Sequence, residues 1–478
     1  MPELARPPSV GDLEFSWVKK FGTALHIKGP FGRDVLYLVD PKASQYVLNT
    51  SGYKFPKSPD MRFMIRLLVG RGIIWCEGEQ HASQRKVIKD GLSTNSLRTY
   101  FPKFQESVRL FISKWQDAFA QDASPKKTNI HSFLAHLTLD SLGRTLDYDF
   151  GVLSEGSESE LAKAYKNLFA EMAFEQSDSV IALRDLMGYL PHWMVSVLRH
   201  SPDRLSRRLK AAFETSSKVG KGLIDRQLTL LQAGEEGRRD IMGRLVASNL
   251  QNGSEIKIEE LQEQLITLLL AGHETTASTM NWLLYELSRH PDIQNKLRKE
   301  IIESQKYRRS EDFTVQDFES MPLLQAILKE TLRYHPIQAR TIRVAGQDDI
   351  IPLSEPQKTT GGKTITEVAV EKGQRIIVSF AAFNRLLTSI WGEDAHVWNP
   401  ERFLNDNGTK TKTGLGVISN LLTFSSGERS CIGWRFAILE MQSIICVLIP
   451  NFKISPPPGN VEIFRAASGL MLPMYVFL

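Results

Sequence analysis

Cysteine is scarce in this chain: among 478 residues only Cys76, Cys431 and Cys446 occur. No two of them form a C-x-x-C pair, so the sequence indicates neither a structural zinc site nor a redox dithiol. An odd and small number of cysteines in a long chain also argues against a disulfide framework and favours a reducing compartment. Cys446 falls in an apolar segment, where a packed core thiol is the ordinary role, and Cys76 is predicted to be structural as well.

Long hydrophobic runs are missing too. The sequence contains no stretch of about 18 or more apolar residues, and it therefore predicts neither a transmembrane helix nor the apolar region of a signal peptide. Two interpretations are open at this point. The chain is either a naturally soluble protein or a membrane-anchored protein whose N-terminal anchor is absent from this chain.

Linkers and charge runs are also lacking. No Gly/Ser linker, Pro-rich spacer or low-complexity run divides the chain. We therefore predict one domain over residues 1–478, although the length alone would suggest about three. The net charge of +5, from 59 basic and 54 acidic residues, is mild. Since no basic stripe with interleaved aromatic residues occurs, no nucleic-acid partner is predicted.

Periodicity predicts a mainly α protein with small β-sheets. Three β-rich parts are expected, at about 15–50, 340–385 and 452–478, and the remainder is expected to be helical. In the first part, TALHIKG and DVLYLVD flank a Gly-Pro-Phe-Gly turn, which is typical of a hairpin. The clearest helix is expected from Glu259 to His290. It is apolar on most sides, so it belongs in the interior of the protein.

The richest stretch is FSSGERSCIG, from Phe424 to Gly433, which runs directly into the apolar helix WRFAILEMQSIICVLI. A glycine-bracketed loop whose backbone amides converge on the sulfur of Cys431 would suit a thiolate as an axial iron ligand. Together with Gly427 and Arg429, these residues match the signature F-x-x-G-x-R-x-C-x-G. The chain thus resembles the cytochrome P450 haem-thiolate monooxygenases, and most of all their fungal microsomal members.

The resemblance implies the cytochrome P450 fold, with haem b held between the long central helix and the cysteine-loop helix. Cys431 would be the metal ligand, and Phe424, Arg429 and Gly433 would contact the cofactor. Haem also carries two propionates, for which arginine is the best partner. By position, Arg343 and the pair His81 and Arg85 are implied as further propionate contacts, and Arg340 is a weaker candidate.

A second motif lies in the middle of the long helix, at Ala271-Gly272-His273-Glu274-Thr275-Thr276. Adjacent threonines beside a glutamate weaken a helix, and a buried acid costs desolvation, so this local conflict indicates function. The small residues at 271 and 272 would let a flat ligand approach the backbone. The segment matches the family element in which acid and alcohol deliver protons to dioxygen, so Glu274 and Thr275 are the implied catalytic residues. His273 has no motif role and is predicted to be a packed or surface histidine.

A third pattern is ExxR, here Glu330 and Arg333, which lie three apart on one helical face and can pair. The resemblance adds Arg402 of the motif Pro-Glu-Arg-Phe to the same buried network. These three residues are interpreted as structural, needed for haem incorporation rather than for chemistry.

The implied reaction is the insertion of one oxygen atom from O2 into a lipophilic small molecule, by hydroxylation of a C–H bond. Electrons would come from NADPH through NADPH-cytochrome P450 reductase, for which Lys86, Lys89 and Arg435 could form a cationic docking patch. The resemblance also implies a monomer on the cytosolic face of the endoplasmic reticulum membrane. The substrate would be surrounded by four largely apolar stretches: Phe63 to Ile74, Leu268 to Thr275, Ile337 to Ile342, and Ser468 to Met471.

Three alternatives stay open. The first is a haem-thiolate isomerase or dehydratase that needs neither O2 nor reductase, the second is a haem-binding sensor or carrier, and the third is a helical interaction protein without haem. The intact pair Glu274 and Thr275 disfavours the first two.

Overall fold

The structure of the protein is a computed structural model. It describes residues 9–120, 128–150, 159–174, 204–232, 257–306, 312–404, 412–457, 463–467 and 469–475, together with the isolated positions 241, 243, 246, 308, 459 and 461.

Helices make up most of the described residues, and they surround one long central helix, α10. The helices in chain order are α1 (Asp12–Phe21), α2 (Pro41–Gln45), α3 (Pro59–Val69), α4 (Gly78–Gly91), α5 (Thr94–Ala120), α6 (Ile130–Thr145), α7 (Glu160–Tyr165), α8 (Leu168–Phe174), α9 (Arg204–Gln232), α10 (Ile258–Arg289), α11 (Pro291–Lys306), α12 (Val315–Glu319), α13 (Pro322–Tyr334), α14 (Phe380–Leu386), α15 (Thr388–Trp391) and α16 (Trp434–Asn451).

The strands form three small sheets. A four-stranded sheet has the order β1-β2-β6-β3, in which β2 and β6 run parallel and the other neighbours run antiparallel. Two antiparallel hairpins, β4-β5 and β7-β8, complete the β structure of the described residues. The strands are β1 (Ala24–Lys28), β2 (Asp34–Leu38), β3 (Arg340–Val344), β4 (Asp349–Lys358), β5 (Thr364–Val370), β6 (Arg375–Ser379), β7 (Ile463–Ala467) and β8 (Met471–Tyr475).

The predicted fold class is confirmed, and so is the first hairpin, but the boundary of the β-rich part at 15–50 is wrong. That segment also contains most of α1, all of α2 and a π-helical turn, Tyr46–Thr50. The sequence DLEFSWVKKF of α1 has an apolar stripe at helical spacing, and Gly22 with a φ of 92° ends it.

The two later β-rich parts contain strands where they were expected, with limits that differ. The part at 340–385 holds four strands and then ends in α14, because Ser379 caps that helix. In the part at 452–478, strands occupy only 463–467 and 471–475, and residues 458, 460, 462, 468 and 476–478 lie outside the described residues. The division into one domain over 1–478 stays a prediction.

Helix α10 is the axis of the fold. Its 32 residues extend over about 48 Å, and it packs against α3, α6, α9, α13, α16 and β8. Burial of its apolar side chains on most sides stabilises it in the centre of the molecule. Among the described residues, no helix is both long and apolar enough to cross a membrane.

A buried ion pair on α13 ties the chain segments around the cysteine loop together. Arg333 donates from Nε and Nη2 to the two carboxylate oxygens of Glu330, each at 2.7 Å, and neither side chain is exposed. The remaining guanidinium protons bond to the carbonyls of Asn384, Ala395 and Val397. Arg402 adds a contact of 3.5 Å to Glu330. The pattern ExxR therefore joins α13 to α14 and to residues 395–402.

We expect Arg333→Met to lower the free energy of unfolding by about 3–5 kcal/mol, because it leaves the Glu330 carboxylate buried without its partner. Urea denaturation of the holoprotein measures this change. As a matched control, Lys299→Met removes a mostly exposed ion pair with Glu303 and should cost less than about 1 kcal/mol. Equal losses in the two variants would contradict the structural role of Arg333.

Candidate haem-thiolate site

The loop that carries Cys431 is folded back on itself before α16 begins. Two short 3₁₀ turns, Leu422–Phe424 and Gly427–Arg429, precede the cysteine, whose N–H donates to the Phe424 carbonyl at 2.8 Å. Gly427 has a φ of 67°, and a Cβ at this position would lie 2.1 Å from the Leu48 carbonyl oxygen. Only glycine therefore permits the loop to pack this closely on the π-helical turn at 46–50.

Cys431 has exposed surface, although its thiol is desolvated. Burial raises the pKa of the thiol, whereas a hydrogen bond from the Gly433 N–H and the charge of Arg85 act in the opposite direction. A Cβ added to Gly433 would meet nothing within 4 Å. The exposed surface of Cys431 and the free space at Gly433 would admit a flat group beside the cysteine.

Three cations and a single carboxylate form a buried cluster near this loop. Lys57, Arg343 and Arg429 interact electrostatically with one another and with Glu77, so the cluster has an excess of two positive charges. Burial and the neighbouring cations lower the pKa of Lys57 to about 8 and that of Arg343 to about 10. An uncompensated buried charge is costly, and the two carboxylates of haem would match this excess.

Within the cluster, Glu77 is the carboxylate that organises the cations. Its Oε2 accepts from Arg429 Nε at 3.1 Å and also pairs with Nη2, and its Oε1 lies 3.2 Å from Lys57 Nζ. Arg343 instead donates to Thr341 Oγ1 at 2.7 Å and to the Ile342 carbonyl. Within the described part of the chain, Arg343 is therefore the one of these three cations that forms no hydrogen bond to a carboxylate.

Helix α4 brings His81 and Arg85 to the same region, where the two side chains form different hydrogen bonds. Burial lowers the pKa of His81 to about 4, and its Nδ1 lies 2.7 Å from the Tyr53 hydroxyl. A hydroxyl that donates to Nδ1 leaves the ring proton on Nε2, free for a further acceptor. Arg85 donates to the carbonyl and to Oγ of Ser430, at 2.7 and 3.1 Å. Its guanidinium thus holds the residue before Cys431.

On α10, four residues at helical spacing have partly exposed surfaces although the helix is central. Leu268, Ala271, Gly272 and Thr275 follow the pattern i, i+3, i+4, i+7 and so share one face. Thr275 Oγ1 donates to the Ala271 carbonyl at 2.8 Å, and a mid-helix hydroxyl bonded this way loosens the helix locally. The exposed surface at these positions would suit a ligand-binding face, although Leu142 of α6 covers Gly272, where an added Cβ would lie 3.1 Å from Leu142 Cδ2.

Glu274 points to a different side of α10. It is 6% exposed, and burial raises its pKa to about 7. Its carboxylate oxygens lie 3.7 Å from His131 Nε2 and 3.6 Å from His273 Nε2. His273 itself is buried and stacks on Tyr165, as expected for a packed histidine.

Some of the stretches that were expected to surround the substrate are in contact with one another in the structure. Gly72 and Ile73, from the stretch 63–74, lie against α10, where a Cβ at Gly72 would be 2.2 Å from Thr267 Oγ1. Met471 donates its N–H to the Ile337 carbonyl at 2.7 Å and accepts from Trp282 Nε1. Ser468 lies outside the described residues.

The residues present therefore fit a haem. Cys431 would hold the iron, while Arg343, Arg429, Lys57 and His81 would face the propionates, and Ala271 and Thr275 keep exposed surface on one face of α10. The sequence reasoning missed Lys57, Glu77 and His131. None of them belongs to a motif, and only Glu77 carried a hint, as an acid just before the helix of His81 and Arg85.

We expect Glu274→Gln to stabilise the protein more at about pH 8 than at about pH 5. Below the ordinary carboxyl pKa of 4.5 the group is protonated whether the chain is folded or not. As the pH rises from 4.5 through about 7, the unfolded chain ionises first, so the native free energy of unfolding falls by about 3 kcal/mol. Urea denaturation at both pH values measures the difference, and a gain independent of pH would contradict the raised pKa.

Comparison with known proteins agrees with this site. The family model described as Cytochrome P450 matches residues 15–475. Cytochrome P450 monooxygenase claW of Ampulloclitocybe clavipes is 30% identical over 448 residues, which cover 93% of this chain and 81% of that protein. Cytochrome P450 monooxygenase 205 of Postia placenta is 30% identical over 97% of this chain and 85% of its own length. Ganoderic acid synthetase of Ganoderma lucidum is 31% identical over 91% and 81%.

A solved structure shares the fold. The crystal structure of a cytochrome P450 (CYP102L1) superposes with a TM-score of 0.73 and covers 96% of this chain and 94% of its own, at 20% sequence identity. The family match extends over nearly the whole chain and includes every element that builds the cysteine loop and the central helix. The chain belongs to the cytochrome P450 family and is a haem-iron monooxygenase.

Proposed function

We propose that this protein uses haem b, bound through Cys431, to hydroxylate a C–H bond of a lipophilic small molecule with O2 and electrons from NADPH. The observation that carries the proposal is the exposed surface of Cys431, in a loop that lies near a buried cluster with two excess positive charges. When bound there, haem would supply the oxygen activation, to which thiolate ligation contributes electron density.

The first contribution of the protein would be to hold Cys431 as a thiolate and to bind the haem propionates. The Gly433 N–H and the Arg85 guanidinium, which fixes Ser430, favour the thiolate form of Cys431. Arg343 and Arg429, with Lys57 and the Nε2 of His81, would bind the propionates by charge-assisted hydrogen bonds. Glu77 keeps Lys57 and Arg429 in place before any propionate arrives. Phe424 closes the loop through its carbonyl.

Proton transfer is assigned to Thr275 and Glu274. Thr275 lies with the small residue Ala271 on the face of α10 that has partly exposed surface. Its hydroxyl is held by the Ala271 carbonyl, so its oxygen lone pairs remain available to accept a proton or a hydrogen bond. Glu274, with a pKa raised to about 7, can hold a proton at neutral pH and release it.

Electrons are proposed to arrive from NADPH-cytochrome P450 reductase. Lys86 and Lys89 on α4 and Arg435 on α16 are exposed, and the bond between Arg85 and Ser430 joins these two elements near the cysteine loop. A patch of this charge would attract an acidic flavoprotein. We further propose a monomer at the cytosolic face of the endoplasmic reticulum membrane, as the resemblance to microsomal members implies.

The ligand assignment is tested by the absorption of the reduced protein under carbon monoxide. The native protein should show the Soret shift of thiolate-ligated haem, and Cys431→Ser should lose it, because the serine oxygen is not a thiolate. Cys446→Ala, at a buried cysteine of α16, is the matched control and should keep the shift. A shift that persists in Cys431→Ser, or is missing in the native protein, would contradict the proposal.

The proton-transfer role is tested by coupling, the product formed per NADPH consumed. With reductase and NADPH, Thr275→Ala should form product about 10²-fold more slowly while NADPH consumption continues and hydrogen peroxide is released. Thr279→Ala is the matched control, because Thr279 bonds to the Thr275 carbonyl at 2.8 Å just as Thr275 bonds to Ala271. Comparable losses in both variants would mean that the Thr275 hydroxyl acts only on helix geometry. Product from hydroperoxide alone, with no NADPH requirement, would favour the isomerase or dehydratase alternative.

A further inference from the structure

The carboxyl group of Glu274 lies between two imidazoles that come from different helices. His131, on the first turn of α6, faces one oxygen at 3.7 Å, and His273, the preceding residue of α10, faces the other at 3.6 Å. Both distances are longer than a hydrogen bond, and movement of the Glu274 side chain would have to close them. The family motif specifies neither histidine.

His131 presents a donor to Glu274. The Asn281 side-chain nitrogen lies 2.8 Å from His131 Nδ1, and because an amide N–H₂ can only donate, Nδ1 accepts and the ring proton is on Nε2. Nε2–H is the atom that faces the Glu274 carboxyl group. The His131 side chain is 33% exposed, against 8% for the Glu274 side chain, so His131 is the more accessible of the two.

His273 presents an acceptor. Its Nδ1 lies 2.6 Å from the Leu269 carbonyl, which can only accept, so the ring proton is on Nδ1 and Nε2 carries a lone pair. The ring is fixed by its stack on Tyr165, with centroids 5.0 Å apart, and Tyr165 is in turn bonded to Ser216 at 2.6 Å. Burial lowers the pKa of His273 to about 4, so the ring stays neutral and keeps this lone pair.

A donor on one side and an acceptor on the other match a protonated carboxyl group, whose carbonyl oxygen accepts while its hydroxyl donates. An ionised carboxylate would instead face the lone pair of His273. The titratable groups around this acid are His131 and His136 from α6 and His273 from α10, with Tyr165 of α7 behind them. Among the described residues, no lysine or arginine forms an ion pair with Glu274.

We propose that His131 relays protons between solvent and Glu274, and that His273 is a positioning residue that holds the Glu274 carboxyl group in its protonated form. This inference rests on the proposed role of Glu274. In the relay, the His131 imidazole gives its Nε2 proton to the Glu274 carboxylate, and a proton from solvent joins Nδ1. Charge and protons balance, since Glu274 passes on one proton in each reaction cycle and receives one from His131, which gains one from solvent as it gives its own. Before the next cycle the ring loses its Nδ1 proton to solvent and takes a solvent proton at Nε2, which restores the starting tautomer.

Asn281 can accommodate both tautomers of His131 that this relay passes through. Its Oδ1 is buried and has no hydrogen-bond partner among the described residues. A half-turn of the amide would bring Oδ1 to Nδ1–H in place of the amide nitrogen, without the loss of any bond that Oδ1 now makes. Burial also lowers the pKa of His131 and raises that of Glu274 to about 7, so transfer of a proton from the ring to the carboxylate is favoured.

Infrared spectroscopy of the resting holoprotein tests the arrangement without turnover. The C=O stretch of a protonated carboxyl group that is missing in Glu274→Gln identifies Glu274. In His273→Phe this band should move to higher frequency, because the hydroxyl loses its acceptor while the ring can still stack on Tyr165. In His131→Phe the band's exchange after transfer into D₂O should slow about 10- to 100-fold, as expected on loss of a positioned proton-transfer group. His26→Gln, at an exposed histidine of β1, should change neither. An unmoved band in His273→Phe, or unchanged exchange in His131→Phe, would overturn the proposal.

Turnover separates this inference from the proposed function. With reductase and NADPH, His131→Phe should form product about 10-fold more slowly and show a larger solvent deuterium isotope effect than the native protein. His131→Gln, which keeps a polar side chain, should behave in the same way if the proton relay matters and like the native protein if only packing matters.

If Glu274→Gln reduces coupling and both His131 variants do not, the relay is wrong and the role of Glu274 stands. If Glu274→Gln leaves coupling unchanged, the proposed role of Glu274 fails, and the exchange measurement still decides whether His131 connects it to solvent.

Discussion

The cysteine loop depends on contacts with segments of the chain that lie far away in the sequence. Gly427 packs on the Leu48 carbonyl, Arg85 binds Ser430, and Arg429 pairs with Glu77. Without these contacts, a loop that has a positive φ at Ser425 and at Gly427 would have many other conformations. The N-terminal part of the chain thus supplies the rigidity that an axial ligand needs, and α16 supplies a fixed end.

Desolvation acts on this protein in two places with opposite results. Near the cysteine loop it makes an excess of positive charge costly, and a dianionic cofactor would remove that cost. Around Glu274 it raises the pKa of a single acid whose neighbours are neutral imidazoles. Near the cysteine loop, burial favours the binding of an anion, and around Glu274 it favours the retention of a proton.

The ion pair of Glu330 and Arg333 has a different function, although its residues are as deeply buried. Each guanidinium proton of Arg333 has an acceptor, and the carboxylate also accepts from the Asn399 N–H at 2.7 Å. Because its hydrogen bonds are complete, this buried ion pair can hold separate segments of the chain together without taking part in chemistry. It explains why a motif as weak as ExxR can be structural here.

The sequence by itself determined the cysteine loop, the long central helix and the family, because glycine and cysteine spacing and helical periodicity are local properties of the chain. It also indicated Glu274, Thr275 and Arg429 from their motifs, and Arg343 from its position downstream of the ExxR helix. Only the tertiary structure decided that Lys57 and Glu77 join the cation cluster, that Arg85 bonds to the loop, and that His131 and His273 flank Glu274. These contacts join residues as far as 352 positions apart, and no local pattern specifies them, since they arise from how the helices pack.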